Sequence, residues 1–522
     1  MGNPVITKSP WNGGDAHPAR RKILLVLCLS LLIVVIDNTV LNTALPTLAR
    51  TLHAGTGGLQ WITDAYSLTF AALLITAGAL GDRFGRRRAL AAGLAFYAVG
   101  SVGAALASGT ASLIVWRVVM GAAAAFVMPA TLSILNAVFP RKERAQAIAL
   151  WSAVAGIAIV IGPTLGGFLL SHFSWGSVFW VNLPLVGVAL VAVAAVVPEI
   201  AGGPADPTGV DLVGMFASIV SLLALVDAVI EAPNRGWTAP RTVTEFAIFA
   251  AAFAGFVFWE ARQSHPMIDV RVFANRAFSA ASGALALTFF ALFGSLFALT
   301  QYLQLVHGYS TLAAGVRALP FALAMAAVSP VSSPVARRFG VRAVVPAGLV
   351  LLAAGLWWLH ALSATTSYAH IAVAVVAMGA GMGLIMAPAS ESIMTALPQH
   401  QAGAGSAIND TVREVGGALG VAIIGSLISA SFRDHLHLSG LPAAAVQAAK
   451  TSIATADQVA ATAGPHAYSV ATAAHAAYAS GMSFGLAIAA MAALFGAGAA
   501  ALALPAHSQA VTLRPSSELV AA

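Results

Sequence analysis

Long unbroken runs of apolar residues alternate with short polar breaks along almost the whole chain. Each run is about 20 residues or longer, the length an α-helix needs to cross a hydrocarbon core. There are about fourteen, centred roughly on residues 34, 70, 98, 124, 157, 187, 220, 250, 289, 321, 353, 380, 415 and 491. Glycine and proline fall inside many of them, which membrane helices tolerate because neighbouring groups satisfy the freed backbone. None alternates in polarity over about ten residues, as a lipid-facing barrel strand would. The pattern predicts an all-α membrane protein of fourteen transmembrane helices.

Composition agrees. Of 522 residues, 59% are hydrophobic and only 9% charged, and the mean hydropathy is +0.86. A soluble domain carries about 25% charged residues. The first run, near Ile23 to Leu45, follows Arg20, Arg21 and Lys22 and contains Asp37 and Asn38. It is too long and too polar for a signal peptide, so it reads as an uncleaved first span. With the N-terminus inside, 18 Lys and Arg fall in inner loops and tails and 5 in outer loops. That bias places both termini in the cytoplasm. It also accounts for the net charge of +7; with no basic arm or domain, nucleic-acid binding is excluded. The single cysteine, Cys28, allows no intramolecular disulfide.

Two segments recur. Arg83-Phe84-Gly85 returns as Arg338-Phe339-Gly340, and PATLSIL from 129 returns as PASESIM from 388. The recurrence predicts two six-helix bundles with two helices inserted between them. Parallel halves of this kind hold substrate at mid-depth between them. The expected division is a tail at 1–22, a first bundle at 23–198, a linker with the two extra helices at 199–277, a second bundle at 278–505 and a tail at 506–522. A polar, Ala- and Ser-rich stretch at about 431–478 reads as an extracellular loop between the last two spans, with room for some helix in it.

A few charges interrupt the apolar runs. Asp37 lies deep in the first, where an ionisable group is costly unless it pairs or faces water. Burial favours the neutral acid and a nearby cation favours the carboxylate. One such group can therefore hold either a proton or a cationic substrate; the alternative is a structural hydrogen bond. Asp64 reads either as a second proton carrier or as a helix-end acid. Arg117 reads either as a partner that tunes a carboxylate or as a side chain snorkelling outward. Asp410, Arg413 and Glu414 are spaced to meet near one helix face, as a gate network or an ordinary intrahelical pair.

The motifs around these residues resemble the major facilitator superfamily, and more narrowly its fourteen-span drug:proton antiporters of the QacA/EmrB type. They are GALGDRFGRRR at 78–88, IVVIDNTVLNTALPTL at 33–48, LIVWRVVMGAAAAFVMP at 113–129, GIAIVIGPTLGGFL at 156–169, WGSVFWVNLPLVG at 175–187 and NDTVREVGGALG at 409–420. The resemblance spans nearly the whole chain. It implies a gating loop at Gly78, Gly81, Asp82, Arg83, Gly85, Arg86 and Arg87, in which Asp82 sits against a helix N-terminus of the other half, near Gly403. It implies proton coupling through Asp37, Arg117 and Asp64, and a substrate cavity holding Asp37, Asn38, Asn42, Tyr66 and Met128, although Tyr66 fits a packing role as well. Gly156, Gly162, Pro163, Gly166 and Gly167 match the span-five signature of antiporters, with Ala158 where a glycine is common. Asp410, Arg413 and Glu414 would form a cytoplasmic gate.

Other signals carry nothing. Gly379 to Gly383 lies inside an apolar run with no strand before it, and no GxxxxGK[ST] sequence occurs, which argues against ATP-driven transport. The histidines form no metal-ligand motif, and no hydrolase elbow is present. The expectation is a bacterial inner-membrane, proton-coupled efflux transporter for small amphipathic drugs, cationic ones included. It would work by alternating access as a monomer, with protons as coupling ion and no cofactor, metal or catalytic residue. The rivals are a narrow exporter of one metabolite or self-made antibiotic, and an uncoupled sensor or scaffold with a transporter fold.

Overall fold

The computed structural model describes residues 17–200, 211–263, 266, 270–395 and 402–505, and these form helices joined by short turns. In order they are α1 (Arg20–Thr51), α2 (Thr56–Phe84), α3 (Arg86–Ala105), α4 (Thr110–Val138), α5 (Arg141–His172), α6 (Ser177–Trp180) and α7 (Asn182–Val196). The inserted pair is α8 (Leu212–Arg235) and α9 (Pro240–Arg262). The remainder are α10 (Arg276–Gln301), α11 (Thr311–Phe339), α12 (Val341–His360), α13 (Tyr368–Thr395), α14 (Ala402–His435), α15 (Ala443–Ala449), α16 (Ile453–Thr462) and α17 (Ala467–Ala503). Each apolar run centre falls inside one of these helices.

Twelve helices, with α6 and α7 taken together, are long and apolar enough to cross a membrane among the described residues. This is fewer than the fourteen expected: α2 and α5, of 29 and 32 residues, are not among the twelve. The 431–478 stretch is partly helical. α14 runs to His435, α15 and α16 follow, and α17 begins at Ala467. Alanine-rich sequence favours helix, and Ile453, Ala454, Ala456 and Ala460 of α16 are buried, with α16 packed on α17.

The same packing scheme occurs twice. α1 packs on α5, α2 on α4, and α3 on α4 and α7; α10 packs on α14, α11 on α13, and α12 on α13 and α17. The recurring segments sit at equivalent places: PATLSIL and PASESIM near the ends of α4 and α13, and the two Arg-Phe-Gly segments at helix joints. Gly85 (φ 105°) is the single residue between α2 and α3, and Gly340 (φ 85°) the single residue between α11 and α12. Only glycine adopts that backbone readily. Two residues after each joint an arginine reaches the last turns of a neighbouring helix: Arg87 Nη2 donates to Ala194 O of α7 (2.7 Å), and Arg342 Nε to Ala501 O of α17 (2.6 Å). A cation there complements the helix dipole. GALGDRFGRRR is therefore no open hairpin: Gly78 to Phe84 are the last turns of α2, and Gly85 alone makes the link.

α5 meets α11 and α2 meets α14, which joins the two sets of helices. α8 lies across α2 and α14, with Val226, Val229 and Ile230 packed around Leu68, Ala418 and Ala422. α9 leans on α8 and is mostly exposed. α1 finishes and α2 begins at one end of the bundle, its distal end.

Candidate functional site

Near the middle of α1, Asp37 meets Arg117 of α4. Arg117 Nη1 lies 2.5 Å from Asp37 Oδ2, and the two side chains are 0% and 1% exposed. Nη2 donates to Asn38 Oδ1 (3.2 Å) and Nε to the Ile62 carbonyl (3.2 Å). The guanidinium carbon stands 4.3 Å from the Tyr66 ring centre. The second Asp37 oxygen accepts from Asn182 Nδ2 of α7 (2.9 Å), which also donates to Ser101 Oγ of α3 (3.1 Å). A buried ion pair holds only when its remaining hydrogen-bonding positions are filled, and here α1, α2, α3, α4 and α7 fill them. Gly121 permits the arrangement, since a Cβ there would collide with the Tyr66 carbonyl oxygen.

This cluster lies inside the first set of helices and not on the space between the two sets. That space holds a cavity of about 60 Å³. α1 contributes Thr39, Asn42 and Thr43 to it, and Gln304, Phe321 and Met378 stand among the residues facing them. Of the expected cavity residues, only Asn42 lines it. Asp37 and Tyr66 are buried in the cluster, Asn38 is half-buried against Arg117, and Met128 packs against the α2–α4 core. The reason is helical geometry: adjacent residues point about 100° apart, so α1 presents Asp37 to one side and Asn42 to the other.

Asp64 of α2 is fully buried, and neither carboxyl oxygen has a hydrogen-bond partner among the described residues. On α14, Arg413 Nη1 lies 3.3 Å from Asp410 Oδ1, and its guanidinium stacks 4.7 Å from the Phe289 ring centre. The two are paired within α14. Glu414 faces Ser67 of α2, well inside the bundle and on the seam between the halves. Arg317 is held between Tyr309 and Tyr368 (4.0 and 5.1 Å), away from the cavity. Asp227 joins Arg235 (3.2 Å) and Arg241 (3.7 Å) at the turn between α8 and α9.

The span-five glycines lie in close packing. Gly162 abuts Thr39 and Gly166 abuts Val40, both on α1, while Gly167 meets the backbone of Leu312 on α11. Gly315 returns the contact: a Cβ there would collide with the Pro163 carbonyl oxygen. Thr311 Oγ1 donates to Gly167 O (3.4 Å). The surroundings of Gly156 lie outside the described residues. At the other end of the bundle, Gly78 sits beside Pro129, Gly81 beside Ala89, and Arg86 donates to Ser133 O (3.2 Å). The side chains of Asp82 and Arg83 lie outside the described residues.

Three glutamine and asparagine side chains escaped sequence reasoning. Asn182 completes the Asp37 cluster. Gln60 Nε2 lies within reach of Val421 O (3.2 Å), Ala422 O (2.8 Å) and Ser426 Oγ (3.3 Å) on α14, and Gln304 Nε2 donates to Thr43 O (3.0 Å). Their one signal is an uncharged amide inside an apolar run. With Thr311 to Gly167 O and Thr56 to Thr451 O (3.5 Å), these bonds join the halves toward the distal end. No group of three or more His, Cys, Asp or Glu able to hold a metal occurs among the described residues.

Two like helix sets, a seam toward one end, a cavity between them and a buried ion pair in one set define a multi-pass membrane transporter. Residues 27–421 match the family model of the Major Facilitator Superfamily, and the chain belongs to that family. It is 37% identical over 418 residues to "Multidrug resistance protein Stp" of Mycobacterium tuberculosis, covering 79% of this chain and 77% of that one. It is 34% identical to "Tetracenomycin C resistance and export protein" of Streptomyces glaucescens (82% and 79% covered) and 35% identical to "Multidrug efflux pump LfrA" of Mycolicibacterium smegmatis (88% and 90%). Among solved structures, an inward-facing, unoccupied bacterial homolog of the human lysosomal transporter Spinster superposes with TM-score 0.66 at 19% identity, covering 94% of this chain and 98% of that one. The peptide transporter POT superposes with TM-score 0.62 at 13% identity (92% and 96%). At these identities the likeness is one of fold.

Proposed function

We propose that the chain is a proton-driven exporter of small amphipathic drugs in a bacterial inner membrane, with both termini cytoplasmic. The positive-inside bias supports that orientation, and the names of its relatives support drug export. In this reading α2 and α5 also span, giving fourteen helices as two bundles of six plus α8 and α9. The protein works as a monomer, without ATP or cofactor.

The observation that carries the mechanism is that one helix serves both partners of the exchange. α1 holds Asp37 against Arg117 and Asn182 on one side, and walls the cavity with Thr39, Asn42 and Thr43 on the other. A proton on Asp37 removes the charge that grips Arg117. α1 then loosens against α4 and α7, and the cavity wall moves with it. Cargo is released on the outer side, and loss of the proton to the cytoplasm restores the pair. Asp64, buried with no donor among the described residues, is a second proton carrier in the same half, and Glu414 on the seam belongs to the same exchange instead of to a terminal gate.

The test is Asp37→Asn in proteoliposomes. The amide oxygen still accepts from Arg117, so the variant inserts and folds, but substrate-driven proton movement is lost. Wild-type exchange by the variant removes Asp37 from the role, and absence of exchange in the wild type favours a sensor. A narrower reading, export of one antibiotic, is favoured by the relative named for tetracenomycin C; a toxin panel that reveals protection against a single compound establishes it.

A further inference from the structure

The walls of the cavity between the halves carry no ionisable side chain among the described residues. The polar lining is Thr39, Asn42, Thr43, Thr300 and Gln304, and the rest is apolar. Asp37 supplies no charge to it, because both its oxygens are engaged inside the first half. A cation entering here would lose its water with no counter-charge to replace it. The neutral polar groups are themselves selective. Asn42 Nδ2 donates one hydrogen to Asn38 O (3.1 Å) and Gln304 Nε2 one to Thr43 O (3.0 Å). The Thr39 hydroxyl points at the carbonyls of Val35 and Ile36, each 3.0 Å away. Main-chain carbonyls require donors, so both amide nitrogens are fixed toward them. The amide oxygens of Asn42 and Gln304, one from each half and both beside α1, are left as acceptors with no donor among the described residues.

Building on the efflux reading, we infer that this cavity takes uncharged, mainly apolar molecules that carry hydroxyl or N–H donors, and rejects permanent cations. The two acceptors, one contributed by each half, receive the donor of the ligand. Ring-bearing ligands have Phe321 and Met378 to pack against.

Three anthracenes test this: 2-hydroxyanthracene, 2-methoxyanthracene and 2-anthryltrimethylammonium. Binding is read by fluorescence anisotropy on the full chain in nanodiscs. The hydroxy compound binds roughly tenfold or more tighter than the quaternary one, and about three- to tenfold tighter than the ether, the worth of a hydrogen bond. Asn42→Leu and Gln304→Leu each shrink the hydroxy-to-methoxy ratio toward one, and Thr300→Asp raises affinity for the quaternary probe. Equal or tighter quaternary binding overturns the inference, as does an unchanged ratio in both leucine variants. If cells show resistance to quaternary toxins and the three probes are not distinguished, this inference falls alone. If none of the probes binds and cells gain no resistance to any toxin, the efflux reading falls with it.

Discussion

Arg117 bonds in three directions at once, to Asp37, to Asn38 and to the Ile62 carbonyl, with the Tyr66 ring against its face. A lysine ammonium is a point charge without that planar fork. Arg117→Lys therefore keeps the charge but gives up hydrogen bonds worth about 1.5–3 kcal/mol each in a charged setting. The expected result is a lower melting temperature and, on the proposed mechanism, loss of proton-coupled transport. Retention of both would show that charge alone matters. The sequence made Asp37 and Arg117 conspicuous because ionised groups are rare in apolar runs. It did not separate their side of α1 from that of Asn42, and the neutral partners Asn182 and Ser101 gave little signal. Tyr66 looked equally suited to cavity and core; in the structure it is fully buried, with its ring against the Arg117 guanidinium.

Among the elements, α5 and α11 depend on two glycines that leave no room for a side chain. Gly167 touches the Leu312 backbone and Gly315 the Pro163 carbonyl, so neither contact can be relieved by turning a rotamer. Gly315→Ala is expected to push the helices apart at a cost of about 1–3 kcal/mol, visible as reduced thermal stability and faster proton leak in liposomes. An unchanged melting curve would mean that the two helices separate freely. The run lengths located every long helix, because crossing a bilayer imposes a length that composition reveals. The helices of the 431–478 stretch could not be located there, since short helices packed on a neighbour lack such a length signal.

The whole molecule is held by contacts between helices far apart in the chain. Gln60 ties α2 to α14, and Ser426 Oγ of α14 in turn donates to Val229 O of α8 (2.8 Å), so the inserted pair is fastened to the seam itself. Gln60→Leu is expected to weaken distal closure. Spin labels at Thr56 and Thr451, in a Cys28→Ser background, should then report a population at longer distance. An identical distance distribution would show that the seam closes without this residue. None of these ties was legible in the sequence, which records no pairing between remote helices. The recurrence of the halves was legible, because a one-residue joint demands glycine and so left the same mark at positions 85 and 340.

Those two joints have a mechanical consequence. A single residue cannot stretch or slide, so a tilt imposed on α2 or α11 passes directly into α3 or α12. Each of these pairs behaves as a stiff bracket, braced at its corner by Arg87 or Arg342. Transport strokes are then shared between the helices that line the path and those that meet the lipid, and neither set travels without the other.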